Sequence, residues 1–148
     1  MNDLVHHPNH YQRCGVECFE INQWMNFMLG NVVKYVFRAG LKDSMPEALQ
    51  KAHANAVRWC QRTSMDPSCE AFVRCDPTDL DVATESALAL ANCTTGRERV
   101  FWESIASIAD SSTNEWPYVI HDNVASLMVE QGMNHKDCPL FEEAPNEA

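Results

Sequence analysis

An all-α fold is what the sequence predicts, on three observations. Hydroxyl residues stand three positions before an acid at Ser44/Glu47, Thr78/Asp81, Thr95/Glu98 and Ser112/Glu115, the spacing of a helix capping box. Apolar residues recur at three- and four-residue intervals behind these pairs. No stretch alternates β-branched and polar residues for long enough to build a sheet. One such pair arises by chance; four, each leading into a helical period, carry weight.

The elements follow in order. A first helix is predicted over about Glu17 to Met25 and a second over Phe27 to Arg38, with Gly40 just beyond it as the left-handed cap. The third runs from Pro46 to Arg62, with Leu49, Ala52, Ala56 and Trp59 along one stripe and a proline suited to the first turn. Asp66–Pro77, with two prolines and two cysteines, reads as a connector. Helices are then predicted over Asp79–Asn92, Arg97–Ala109 and Trp116–Gln131, the last stopped by Gly132. The expected fold is a compact bundle of five helices, or six if the first two stay separate. From about residue 135 the chain, with Pro139, Pro145 and a run of acids, is expected to fray.

The 148 residues suffice for one ordinary domain with its own core. A content of 45% hydrophobic and 22% charged residues is that of a globular chain, which excludes wholesale disorder. No apolar run reaches the roughly 20 residues that span a bilayer. The polar start, Met1 to His10, has no signal-peptide core, so a cytoplasmic chain is expected, with its seven cysteines as reduced thiols. The net charge of −10 is unevenly spread. Residues 1–63 carry seven basic against five acidic residues, whereas residues 64–148 carry four against sixteen. Such a surface repels phosphate backbones and disfavours general nucleic-acid binding. A site for a small anion belongs in residues 1–63, with 64–148 as an acidic helical segment packed on it.

Reactive residues are densest between His6 and Asp43. Asn31, Lys34, Arg38 and Lys42, spaced by three, four and four, share one helical stripe or lie just past its end. Arg supplies a planar fork and Lys a point charge, a set suited to phosphate; the plainer reading is a solvated face whose cations pair with acids. His7-Pro8-Asn9-His10-Tyr11 could stack a base or donate to a phosphate. His6, His7 and His10 also resemble a metal tract or a tag remnant, and Cys14 and Cys18 would extend them to a zinc set. That set lacks the paired arms of a structural zinc site. Glu17 and Glu20 share one face of the first helix, expected to lie opposite the basic helix. They suit a Mg2+ ion, an incoming hydroxyl or a sugar hydroxyl, or else favour the positive helix N-terminus. No P-loop, Rossmann glycine motif, His-Glu-x-x-His or nucleophile elbow is present. His53 reads as a core-edge residue, His121-Asp122 as a weak dyad, and Trp24, Trp59, Trp102 and Trp116 as core.

His7-Pro8-Asn9-His10-Tyr11, Gly15 to Glu20, Gly30 to Asp43 and Leu49-Gln50-Lys51-Ala52 together resemble a bacteriophage family of small proteins of unknown function. That family includes a phage deoxynucleoside monophosphate kinase. The resemblance covers about residues 6–62, and its most specific block is Gly30-Asn31 through Lys42. Ala48 departs from a frequent Asp and Leu41 from a frequent Lys; residues 64–148 resemble nothing that can be named. The resemblance implies a phage nucleotide kinase-like protein, transferring a phosphoryl group from a nucleoside triphosphate to a deoxynucleoside monophosphate without a P-loop.

On that expectation Lys34, Arg38 and Glu20 are catalytic, and His7, His10, Tyr11, Glu17, Asn31, Tyr35 and Lys42 bind substrate. Glu17 and Glu20 are the candidate Mg2+ ligands. Two alternatives stand beside it. One is an all-α nucleoside triphosphate pyrophosphohydrolase; the other is a non-enzymatic regulator that senses a nucleotide and binds a host protein through its acidic segment. A basic face incomplete in one chain also suggests a homo-oligomer.

Overall fold

The computed structural model describes residues 12–66, 69–73, 75–108 and 113–134. Six helices carry the fold: α1 (Cys18–Asn22), α2 (Phe27–Arg38), α3 (Met45–Met65), α4 (Pro77–Asn92), α5 (Gly96–Ile108) and α6 (Trp116–Glu130). The first two helices are separate because the chain turns between them. Asn26 ends the turn, its side-chain oxygen accepting from the Leu29 N–H at 2.8 Å. The connector supports the same corner: the Asn26 N–H donates to Ala71 O at 2.8 Å and its side-chain amide to Glu70 O at 2.9 Å.

Gln12–Arg13 (β1) and Val16–Glu17 (β2) form a two-stranded antiparallel hairpin, with Gln12 opposite Glu17 and Arg13 opposite Val16. Two residues per strand leave no periodicity for a sequence to display. The turn residues Cys14 and Gly15 have φ of 55° and 76°. Both positive angles fit a tight hairpin turn whose twist matches the strands.

One of the four expected caps is corrected, a second is replaced, and a third rests on Ser112, outside the described residues. Helix α4 starts at Pro77, capped by Asp76 and Asp79 rather than by Thr78 and Asp81; the Asp79 N–H donates to the Asp76 carboxylate at 2.9 Å, and the Asp76 N–H to Asp79 at 3.2 Å. Helix α6 begins after Glu115, which makes no side-chain cap bond, and Ser112 lies outside the described residues. The Thr95/Glu98 pair gives way to a long-range cap on α5. Glu130, at the end of α6, accepts the Arg97 N–H at 3.0 Å, while Glu98 turns to other partners. Only Ser44 caps as expected, accepting from the Glu47 N–H at 3.3 Å.

The helices close a ring. Helix α1 packs on α2, α2 on α3, α3 on α6, α6 on α5, α5 on α4, and α4 back on α1. One continuous apolar core fills the ring, with Phe37, Trp59, Phe101 and Trp102 among its largest buried side chains. The edge-to-face pair Phe37–Trp102, at a centroid separation of 6.3 Å, joins the basic and acidic segments, and Phe101 packs edge-on to the same Trp102 at 4.9 Å. Trp116 packs against the core, whereas Trp24 is exposed, against expectation. His53 is wholly buried, its ring 4.8 Å from that of His121. Among the described residues no helix is long and apolar enough to cross a membrane.

The expectation that every cysteine is a reduced thiol is overturned for one pair. Cys14, in the hairpin turn, is disulfide-bonded to Cys93 at the end of α4. Cys18, Cys60, Cys69 and Cys75 are free thiols.

Candidate functional site

The basic stripe of α2 lies against α3, and the two helices together build a cluster that neither displays alone. Its centre is the half-buried ring of Tyr35. Lys34 Nζ lies 4.7 Å from the ring centroid, Arg38 Cζ 5.5 Å, and Lys51 Nζ, from α3, 5.5 Å. Any two of these cations are then within about 11 Å of each other, where like unit charges repel by roughly 0.4–1.5 kcal/mol or more between bulk water and a protein surface. The ring face returns about 0.5–1 kcal/mol per exposed cation. Two acids supply the rest.

Asp43, just past α2, accepts from Arg38 Nε at 3.1 Å and from Arg38 Nη2 at 3.4 Å. This fork is largely buried, with side-chain exposures of 9% and 12%. The Arg38 hydrogen bond holds the Asp43 carboxyl below its ordinary value, against a smaller opposing effect of burial. Glu47 pairs with Lys51 at 3.1 Å across one turn of α3 and raises the lysine's pKa. Lys34 and Lys42 make no ion pair with any acid among the described residues, so the cluster keeps an excess of positive charge. Asn31 fixes the neighbouring turn: its amide donates to Asn55 Oδ1 at 3.3 Å, and the Asn55 amide donates to Lys51 O at 2.9 Å. Beneath the cluster, Cys18 at the start of α1 is buried, and desolvation pushes its thiol up to about 12 despite the opposing fields of Lys34 and Arg38.

Glu17 and Glu20 belong to a different set of contacts. They cap α1 reciprocally, and Glu20 Oε1 accepts the Glu17 N–H at 2.9 Å. Glu20 Oε2 accepts from Ser86 Oγ on α4 at 3.3 Å, so this carboxylate faces α4 rather than the basic helix. One of its oxygens serves the helix start and the other ties α1 to α4. With Gln12–Val16 the two acids line a shallow cleft of about 420 Å³. Beside it Arg13 ties the hairpin to α5, donating to Glu98 Oε2 at 2.7 Å and to Phe37 O at 3.2 Å; Trp102 Nε1 donates to the same Glu98 oxygen at 3.1 Å.

Among the described residues no group of three or more His, Cys, Asp or Glu gathers closely enough to hold an ion, and Glu20 is already engaged. A Mg2+ ion here would have to arrive on phosphate oxygens. His121 Nδ1 lies 3.1 Å from the exposed Asp122 carboxylate, and its ring stands 4.8 Å from the buried His53 ring.

Of the expected site residues, Asn31, Lys34, Tyr35 and Arg38 are thus brought together; Lys42 lies exposed just beyond α2, and Glu17 and Glu20 stand apart. His7, His10 and Tyr11 lie outside the described residues. Lys51 and Asn55 were missed by sequence reasoning. Their signal was a polar stripe Glu47-Lys51-Asn55 at four-residue spacing, beside the apolar stripe of α3.

A family described only as a protein of unknown function, DUF3310, matches residues 5–56, about a third of the chain. The matched stretch spans the hairpin, α1, α2 and most of α3, and so contains the whole Tyr35 cluster. No curated protein and no solved structure matches the chain.

Proposed function

We propose that the chain handles nucleotides, binding their phosphates on the α2–α3 face, and that it transfers a phosphoryl group from a nucleoside triphosphate to a deoxynucleoside monophosphate. The observation that carries this reading is the gathering of Lys34, Arg38 and Lys51 around Tyr35 with more positive charge than Asp43 and Glu47 offset. An oxyanion placed there would relieve the repulsion. Phosphoryl transfer asks mainly for positioning and charge neutralisation, which helix-borne cations can supply in place of a P-loop. The resemblance of residues 6–62 to a phage family with a deoxynucleoside monophosphate kinase favours this donor and acceptor.

In the proposed reaction an oxygen of the acceptor 5′-phosphate attacks the donor γ-phosphorus as the bond to the β-phosphate oxygen breaks. Lys34 and Lys51 contact the transferring group and Lys42 an outer phosphate. Arg38, held by Asp43, fixes the face, and Asn31 orients the substrate. Glu20 reaches an acceptor hydroxyl only by giving up Ser86.

Binding without turnover is the competing reading, and the Arg38–Asp43 fork favours it, because that guanidinium is already neutralised. The assay mixes the chain with a nucleoside triphosphate and each deoxynucleoside monophosphate in turn, with and without Mg2+, and separates the products by ion exchange. Matched amounts of two diphosphates are expected. Pyrophosphate from the triphosphate alone would assign hydrolysis instead, and binding with no product would assign a sensor.

A further inference from the structure

We propose that Cys14–Cys93 is a reversible thiol–disulfide exchange site, at which a small thiol of the glutathione class opens the bridge and releases the hairpin from helix α4. The inference does not depend on the nucleotide reading. Both cysteines are exposed, and their Cα atoms lie 6.5 Å apart, within the range a disulfide spans. They join segments 79 residues apart in sequence.

Among the described residues one exposed bridge stands beside four free thiols, unlike the disulfide framework of a small secreted domain, and exposed bridges are the exchangeable ones. Three of the free thiols make poor partners for either cysteine. Cys18 and Cys60 are buried, and desolvation pushes both thiols up to about 12. Cys75 is raised too, by desolvation and then by Asp79 and Asp76.

The exchange balances in two steps. A small thiolate attacks one Sγ, the S–S bond breaks, and the departing cysteine thiolate takes up the proton its attacker had lost. A second small thiol attacks the mixed disulfide, leaving two protein thiols and one oxidised small disulfide. Two electrons pass to the protein, and the reverse sequence restores the bridge.

The consequence is local. A two-stranded hairpin is marginal alone. With the bridge open it is held by the buried Val16 and by the Arg13–Glu98 pair. Cys14, at φ 55°, is also freed to leave a backbone conformation that side chains other than glycine seldom adopt. The cleft lined by Gln12–Glu17 and Glu20 would change shape with it.

The full chain is equilibrated in buffers of graded reduced-to-oxidised glutathione ratio, then alkylated and mapped by mass spectrometry, with hydrogen exchange measured in parallel. Cys14 and Cys93 are expected to become alkylated together and reversibly as the ratio rises. Amides of residues 12–17 should then exchange at least about tenfold faster, with α3 and α5 unchanged. Cys14→Ser, or Cys93→Ser should the first variant fail to fold, should show the faster exchange even in oxidising buffer. A bridge that survives the highest thiol excess would overturn the proposal. So would alkylation of both residues in the most oxidising buffer, or identical exchange of residues 12–17 in the two forms.

Discussion

Replacing Arg38 by Ala should cost stability before it affects any ligand. The side chain is 9% exposed and makes two charge-assisted bonds to Asp43, at 3.1 and 3.4 Å. Charged hydrogen bonds of this kind are worth roughly 1.5–3 kcal/mol, and removing one partner of a buried pair costs about 3–5 kcal/mol because the other charge is stranded. Asp43 keeps some water access and a weaker field from Lys51 and Lys42, so about 2–4 kcal/mol is expected here. For a chain of this size that corresponds to a fall in Tm of roughly 6–12 °C. Urea unfolding followed by tryptophan fluorescence measures it. In a double-mutant cycle, Arg38→Met with Asp43→Asn should cost at least about 1.5 kcal/mol less than the two single changes together. The pair also has a pH signature. A carboxyl held below its ordinary value adds stability that is complete above the unfolded pKa of about 3.9 and is lost as pH falls through the folded value. The gap between the wild type and Asp43→Asn should therefore be full at pH 6 and shrink below about pH 4. An Arg38→Ala chain within about 0.5 kcal/mol of wild type would refute the reasoning.

Three further outcomes are expected. Gly96→Ala places a Cβ 2.6 Å from Glu130 Oε2 on a residue with φ of 62°, and disturbs the bond from Glu130 to the Arg97 N–H. Left-handed strain and the lost cap sum to about 2–3 kcal/mol, and thermal melting should show a Tm lower by roughly 5–10 °C; a loss under about 2 °C would contradict the Glu130 cap. Arg13→Met removes the 2.7 Å bond to Glu98 and should cost about 1–2 kcal/mol in the same urea titration, with faster proteolysis before residue 18; unchanged stability would leave the hairpin without its second tether. Cys18 and Cys60, raised to about 12, should carry about one part in ten thousand thiolate at pH 8 and resist alkylation in the folded chain, whereas rapid labelling of either would show that its burial is incomplete.

Much of the helical framework was legible because helix signals are local. The apolar spacing over Phe27–Arg38 and Gly40 just beyond it place α2 where the structure has it. Pro77 could be read as connector or first turn, and Asp76 with Asp79 decides for the turn, two residues before the expected start. What the sequence could not display was pairing at a distance. Cys14 meets Cys93 across 79 residues, and Glu130 reaches the start of α5 through the α5–α6 contact. The candidate site divides in the same way. Lys34, Tyr35 and Arg38 could be grouped by helical spacing, but Lys51 joins them only once α3 packs on α2. Glu20 was singled out by residue type, and its place as the third residue of α1 gives it a capping contact that residue type alone does not display.

Lys34 offers the cleanest measure of the central claim, because its ammonium touches the Tyr35 ring and pairs with no acid among the described residues. Isothermal titration of deoxynucleoside monophosphates and nucleoside triphosphates into the wild type and Lys34→Gln should show binding weakened at least about tenfold, roughly 1.4 kcal/mol, with Tm unchanged. Equal affinity in the two proteins, or no heat from any nucleotide, would contradict a phosphate-binding face on α2 and α3.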